Sequence, residues 1–213
     1  MPVLPESYGP ASGDDVWGQI KAQVEALIDK KIADYEYKQV QEDLTGLKNV
    51  LDDYTLAVEH SQANPTFISE KYNVALGQFE ASQPHFMSEG YEVLLLPLLA
   101  QMAKMHLALL QDGVNYGESW GWTPDSVNDE YNKLTGAIKK YGCWVSEWYR
   151  TGYDQVKIPT SGKHLRTKQW AARNNYVRGM TLQVLDIAFY WPYFDPKMQN
   201  NGKVPALTRE IYS

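Results

Sequence analysis

The side chains of this sequence best suited to metal binding or nucleophilic catalysis are four histidines and one cysteine: His60, His85, His106, His164 and Cys143. No histidine belongs to an HExxH or ExxH pair, the spacings that place zinc or di-iron ligands on one face of a helix. A single cysteine forms neither an internal disulfide nor a cysteine-rich metal site. Cys143 lies between Tyr141 and Val145 in an apolar series, so we expect a packed thiol and not a nucleophile.

The glycines do not form a nucleotide-binding motif. Gly162-Lys163 lacks the upstream glycine and the following Ser or Thr of a phosphate-binding loop, and no GxGxxG follows a strand. Asn64-Pro65-Thr66 is not a glycosylation acceptor, because proline occupies its middle position. We therefore predict that the protein is not an enzyme and uses no cofactor or metal.

Net charge and the N-terminal residues narrow the class of protein. A net charge of −6 and a pI near 5.2 argue against a nucleic-acid partner, and we expect no strong attraction to anionic lipid from charge alone. The first residues, MPVLPESYGPASGDD, lack the basic start and apolar core of a signal peptide. Their proline, glycine and acidic content predicts a disordered tail over 1–14 in a soluble protein.

The segment YEVLLLPLLAQMAKMHLALLQD, residues 91–112, is the helix around which we expect the other helices to pack. Its apolar residues surround the helix, and such a helix requires either other helices or lipid around it. At 1.5 Å per residue it is about 33 Å long, close to the roughly 30 Å hydrocarbon core of a bilayer. Lys104 in its middle and Pro97 in its hydrogen-bond ladder disfavour a constitutive transmembrane helix. We predict a buried central helix.

Helical spacing of apolar residues predicts amphipathic helices around this centre. They cover about 17–32, 40–58, 65–83, 125–154 and 165–190, with glycines forming a turn region over 113–121. Each apolar series lasts only two to three heptads between breakers, which favours core packing over a coiled coil. The predicted fold is an all-α helical bundle over 15–200. The segment 201–213 resembles a strand or linker toward an absent second domain.

Three polar residues, Lys104, His106 and Asp186, lie in apolar surroundings. Lys104 and His106 either pack for stability, or they belong to a helix that must later face water, lipid or a neighbouring protomer. Asp186, inside VLDIAF, is expected to be paired, because an unpaired buried charge is costly. Lys104, Arg178 and His106 are its candidate partners.

Several motifs in one order carry a family resemblance. The 91–112 segment, with Gln101, Ala103, His106, Leu107, Leu110 and Asp112, resembles the central helix of the three-domain insecticidal crystal (Cry) delta-endotoxins. WGWTPDSVNDEYNKLT, SEWYRTGYDQV and MTLQVLDIAFYWPYFDP resemble the following helices of that family, and LTREIYS resembles its first domain boundary. The resemblance spans about Trp17 to Ser213, so the family's first helix has no counterpart here. Gln111 replaces a frequent arginine, and Lys104 a frequent asparagine.

The resemblance implies the N-terminal pore-forming toxin domain of these proteins. It implies synthesis in the bacterial cytoplasm without a signal peptide, as a sporulation crystal inclusion, followed by action at a target cell membrane. It further implies an oligomeric pore made by self-association, with receptor binding through the absent domains. The membrane-inserting positions of the central helix are then Leu94, Leu95, Leu96, Leu98, Leu99, Met102, His106, Leu107, Leu109 and Leu110.

Two functions from different classes remain at this point. In the first, helix 65–83 and helix 91–112 enter a membrane together as a hairpin. The apolar side of helix 65–83 carries Ile68 and Phe79, and its polar side supplies the candidate pore-facing residues Glu70, Asn73, Gln78 and Glu80. In the second, the bundle is a module that packs or oligomerises without inserting.

Overall fold

The computed structural model describes residues 13–28, 31–60 and 64–199, and these residues form an all-α bundle. No strand occurs within these ranges, so the predicted fold class is confirmed. The predicted strand over 201–213 and most of the predicted tail over 1–14 lie outside the described residues, although the first helix already begins at Gly13. The helices are α1 Gly13–Ile28, α2 Asp34–His60, α3 Pro65–Ser82, α4 Glu92–Tyr116, α5 Pro124–Gln155, α6 Leu165–Met180, α7 Asp186–Ala188 and α8 Pro196–Gln199.

Two helices begin where a polar residue precedes a proline. The Asn64 side chain accepts a hydrogen bond from the Phe67 amide at 3.2 Å, and Pro65 opens α3. The Thr123 hydroxyl accepts one from the Ser126 amide at 3.2 Å, directly before Pro124 and α5. A capping oxygen satisfies a free helix amide, and proline at the first position gives up a donor that would have had no partner.

Helix α4 is the core of the molecule, as predicted. It packs against α1, α2, α3 and α5, and against the turns that follow α6. Pro97 lies inside the helix and is itself buried. Since apolar side chains surround α4, the helix requires neighbours around it. The bundle supplies them except along one half-buried stripe: Gln101, Lys104, Met105, Ala108 and Gln111.

The glycine region after the central helix differs from the prediction. Helix α4 continues to Tyr116, and a 3-10 turn, Gly117–Trp120, precedes Gly121, whose φ of 91° allows the chain to reverse. Gly113 is therefore helical. A Cβ atom at Gly113 would lie 2.4 Å from the hydroxyl of Tyr72, so this glycine permits close packing of α3 on α4.

The last predicted helix, 165–190, is interrupted. Helix α6 ends at Met180, a π-helical turn covers Thr181–Leu185, and α7 follows. In the π turn the Asp186 amide donates to the Thr181 carbonyl, five residues back. A π turn changes the rotation of the residues after it, which the apolar pattern alone does not reveal.

Cys143 is exposed, so the expectation of a packed thiol is wrong. Tyr141 and Val145 are buried on α5, at a spacing of one helical turn. Cys143 lies two residues from each, about 200° around the helix. It therefore projects from the outer side of α5.

Candidate functional site: the hairpin of α3 and α4

Helices α3 and α4 form a hairpin in which the central helix is almost completely enclosed. They are joined by residues 83–91, which include the 3-10 turn Gln83–Met87. The predicted membrane-inserting positions of α4 all lie in the core, and the most accessible of them, His106, is 6% exposed. These positions are Leu94, Leu95, Leu96, Leu98, Leu99, Met102, His106, Leu107, Leu109 and Leu110.

Helix α3 has one buried and one exposed side. Ile68, Tyr72, Ala75, Leu76 and Phe79 are buried against the bundle. The candidate pore-facing residues all lie on the exposed side: Glu70, Asn73, Gln78 and Glu80. The hairpin thus combines an enclosed apolar helix with a helix whose outer side is polar.

Two buried carboxylates hold the hairpin to its neighbours. The Tyr54 hydroxyl of α2 donates to Asp112 of α4 at 3.2 Å, and the Tyr72 hydroxyl of α3 donates to Glu130 of α5. Burial raises the pKa of Asp112 to about 6, although the hydrogen bond from Tyr54 acts in the opposite direction. Glu130 is 4% exposed and also forms an ion pair with Lys133, whose Nζ lies 3.1 Å from Oε2 of Glu130.

A second polar group lies deeper in the bundle, around His106. Its Nδ1 is 2.7 Å from the hydroxyl of Tyr141 on α5, and its ring stacks on Phe79 of α3 at 5.1 Å. The Gln83 side chain donates to the same hydroxyl. Burial, and then the charges of two lysines on α5, lower the pKa of His106 to about 4, so the imidazole is neutral at pH 7.

The expected pairing of Asp186 does not occur among the described residues. Asp186 is exposed, and its carboxylate forms no hydrogen bond or ion pair with another described residue. Of the three expected partners of Asp186, Arg178 is exposed and Lys104 is half-buried. His106 instead forms a hydrogen bond with the hydroxyl of Tyr141. The π turn before Asp186 rotates it away from the face that an uninterrupted helix would give it.

Gln111 has a different partner from the arginine that the resemblance places at this position. Its side-chain amide donates to the Phe194 carbonyl at 2.8 Å. Gln111 therefore ties α4 to the 3-10 turn Trp191–Phe194, without an acidic partner.

Sequence reasoning missed the carboxylates that anchor the hairpin. Asp112 entered only as part of a motif, and Glu130 was not considered. A signal for Glu130 exists, because it lies three residues after Val127 and four before Leu134 in the apolar series of α5. An acid at a core position of a helix indicates a buried partner.

Residues 117–121, GESWG, have the GxSxG spacing of hydrolase nucleophiles. In those enzymes the serine lies between a strand and a helix, whereas here the turn joins two helices. The Ser119 hydroxyl donates to the Tyr116 carbonyl at 2.6 Å. Within the described ranges, no three His, Cys, Asp or Glu side chains are grouped so that they could hold a metal ion.

The architecture defines a class: an α-helical bundle that encloses one helix of membrane-spanning length. The segment Glu92–Trp120 has 29 residues, and its most apolar stretch of 18 residues has a mean hydropathy of 1.8, although the core helix of a soluble protein meets the same criterion. The sequence model of the family described as delta endotoxin, N-terminal domain, matches residues 7–195. The chain belongs to this family.

Curated relatives and solved structures agree with this assignment. Pesticidal crystal protein Cry7Ab of Bacillus thuringiensis subsp. dakota is 34% identical over 205 residues, which cover 93% of this chain and 18% of that protein. Cry26Aa of B. thuringiensis subsp. finitimus is 34% identical over 210 residues, covering 96% of this chain and again 18% of the relative. The chain thus spans about a fifth of the length of these proteins.

The structural similarity covers most of the bundle. Insecticidal delta-endotoxin Cry8Ea1 from B. thuringiensis aligns with a TM-score of 0.76 and 36% identity, over 85% of this chain and 31% of that one. B. thuringiensis insecticidal crystal protein Cry7Ca1 aligns with a TM-score of 0.79 and 29% identity, over 87% of this chain and 32% of that one. The helical bundle is therefore the fold that these toxins share.

Proposed function

We propose that this chain is a pore-forming toxin domain that acts at a target cell membrane. In this proposal the hairpin of about 65–112 leaves the bundle, enters the bilayer and oligomerises into a pore. The observation that carries the proposal is the enclosed apolar helix α4, of membrane length, joined by a short connection to α3 with its polar outer side. Receptor recognition would belong to the parts of the longer relatives that this chain does not match.

Membrane insertion is physically feasible for α4. In lipid its own hydrogen-bond ladder satisfies the backbone, apart from the interruption at Pro97. A leucine surrounded by helices and a leucine surrounded by lipid have similar environments. The main opposing cost is Lys104, since a charge at the bilayer centre costs about 2.5–3.5 kcal/mol on insertion scales.

The polar contacts of the hairpin define what must break before it leaves. Tyr72 and Asp112 detach from Glu130 and Tyr54, and Gln83 and His106 detach from Tyr141. A hydrogen bond between neutral groups contributes a net stability of about 0.5–1.5 kcal/mol, and one to a charged carboxylate about 1.5–3 kcal/mol. Once in the membrane, several copies of α3 would direct Glu70, Asn73, Gln78 and Glu80 toward a shared water-filled lumen.

The test is a disulfide that joins α4 to α5, at a pair of positions whose Cβ atoms lie about 3.5–4.5 Å apart. It is made in a Cys143→Ser background, because the exposed thiol of Cys143 would otherwise compete for oxidation. We expect the oxidised protein to release no dye from liposomes and the reduced protein to release it. The matched control is a disulfide between α5 and α6, which pack together but leave the hairpin free, and this form should release dye while oxidised.

Equal release from the oxidised and reduced α4–α5 forms would contradict hairpin insertion. Self-association without release from any form, including the unmodified protein, would instead support the alternative, a helical module that oligomerises without inserting.

A further inference from the structure

The longest acid-free segment of this acidic chain is also rich in positive charge. Between Asp154 and Asp186 there are six Lys and Arg residues and no Asp or Glu, although the chain as a whole has a net charge of −6. All six side chains are exposed: Lys157, Lys163, Arg166, Lys168, Arg173 and Arg178. The segment covers the connection after α5 and all of α6.

A groove of about 420 Å³ runs along α6 within this segment. It is lined by Tyr153 of α5 and by six residues of α6: Arg166, Gln169, Trp170, Arg173, Asn174 and Val177. The six lie at positions i, i+3, i+4, i+7, i+8 and i+11, so they form one face of the helix. Trp170 is 66% exposed, and the Arg173 guanidinium lies 5.6 Å from the centre of the Tyr153 ring.

The two arginines of the groove keep their charge available. Neither Arg166 nor Arg173 forms an ion pair with any residue that the structure describes. They are seven residues apart on one face, about 10 Å along the helix axis. The groove thus offers two guanidinium groups with an exposed indole between them.

We propose that this face of α6 is a docking surface for the anionic phospholipid headgroups of a membrane. Guanidinium groups bind phosphate oxygens in a bidentate manner, and tryptophan rings locate at the headgroup level of bilayers. A positive surface adjacent to an anionic membrane strengthens the attraction with each basic residue. Because this is the longest acid-free segment of the chain and has the most basic residues, its charge would orient the acidic molecule with α6 toward the lipid. The inference rests on the proposed action at membranes, but it uses no residue of the α3–α4 hairpin.

The test is flotation of the whole chain with vesicles of phosphatidylcholine, alone or mixed with phosphatidylglycerol. We expect the wild type to bind the mixed vesicles preferentially and Arg166→Gln/Arg173→Gln to lose about 30-fold in partitioning, since two basic residues near an anionic surface contribute that factor together. Trp170→Ala should weaken binding to the same vesicles. The far-ultraviolet circular dichroism of all variants should match the wild type.

Matched controls change the same properties elsewhere. Lys48→Gln/Lys139→Gln removes two exposed positive charges outside the segment, and Tyr35→Ala removes a 77% exposed aromatic ring from α2. Both controls should bind as the wild type does. Equal binding of the wild type to both vesicle types, or an equal loss in Lys48→Gln/Lys139→Gln, would overturn the docking surface. So would arginine-dependent binding to single-stranded DNA with none to vesicles.

Dye release separates this inference from the proposed function. Wild-type protein that binds anionic vesicles through the two arginines but releases no dye would contradict pore formation and support docking. The second outcome is equal dye release by the wild type and Arg166→Gln/Arg173→Gln, at limiting protein concentration, from vesicles rich in phosphatidylglycerol. This outcome would contradict docking through α6 and support pore formation.

Discussion

Helix α4 carries two buried titratable residues whose pKa values shift in opposite directions. The pKa of Asp112 is raised to about 6, so its contribution to stability is full below pH 3.8 and is lost as the pH rises through 6. The pKa of His106 is lowered to about 4, so its contribution is full above pH 6.5 and is lost as the pH falls through 4. Each shift corresponds to about 3 kcal/mol. Between pH 4 and 6 the two effects oppose each other.

Replacing one residue of the pair should expose the effect of the other. We expect His106→Gln to gain about 3 kcal/mol of stability relative to the wild type as the pH falls from 6.5 to 4, because the substitution removes a proton-binding site that opens only on unfolding. Asp112→Asn should gain a similar amount relative to the wild type as the pH rises from 4 to 6. Urea titrations at several pH values measure both.

The double variant is the control for this pair. Its free energy of unfolding should have nearly the same pH dependence as the wild type over this range, since it lacks both opposing effects. Parallel pH profiles for the wild type and either single variant would show that the corresponding residue keeps its ordinary pKa in the folded protein.

At the residue level, the sequence predicted which side chains are buried better than it predicted which partners the buried polar side chains bind. The leucines of α4 are apolar on every side of one helix, and this composition alone requires enclosure. The partners of Asp112, Glu130 and His106 lie 58, 58 and 35 residues away in the chain, so they depend on how the helices pack. The exposed position of Asp186 depends on a local π turn that no composition rule reveals.

Helix packing between α3 and α4 depends on a missing side chain at Gly113. A methyl group there would lie 2.4 Å from the hydroxyl and 2.7 Å from the ring of Tyr72. We expect Gly113→Ala to cost about 1–3 kcal/mol, because Tyr72 must shift and strain its bond to Glu130. Thermal or urea unfolding measures this loss.

Gly136 is the matched control within α5. It is exposed, and no atom lies within 4 Å of the position of its absent Cβ. Gly136→Ala should therefore stabilise the protein, by up to about 1 kcal/mol, through helix propensity alone. A stabilising Gly113→Ala would mean that α3 and α4 approach less closely than this structure shows.

At the level of elements, apolar periodicity predicted which segments are helical but not where each one ends. The starts of α3 and α5 were readable because a capping residue and a proline mark them locally. The end of α4 could not be predicted from the sequence, because glycines are typical both of turns and of closely packed helices. The interruption after α6 follows a single glycine, Gly179, which alone does not distinguish a π turn from a continuous helix.

For the whole molecule, enclosure predicts a hierarchy of local stability. The amides of Leu94 to Leu110 should exchange with solvent only when the entire bundle unfolds, because most side chains of this stretch are buried and none is exposed. Those of α6, which has few buried side chains, should exchange by smaller openings. Native-state hydrogen exchange in low denaturant separates the two. Fast exchange in α4 under these conditions would contradict its role as the enclosed core.

Average properties of the whole chain concealed one of its most distinctive surfaces. A net charge of −6 led to the expectation of little attraction to anionic lipid, yet the segment between Asp154 and Asp186 has six Lys and Arg residues and no Asp or Glu. Charge acts over about 8 Å in physiological salt, so a local surface has its own electrostatic character. The distribution of charge along the chain, and not its sum, is the relevant quantity.

The π turn Thr181–Leu185 has a consequence for length variation among related chains. A π turn accommodates one residue more than an α turn, so it stores an insertion inside an otherwise continuous helix. Deletion of a single residue there would convert the turn to α-helix while α6 and α7 kept their present faces. The same deletion in α4 or α5 would rotate half of a core helix by about 100°. This stretch is therefore where the bundle tolerates a change of one residue in chain length.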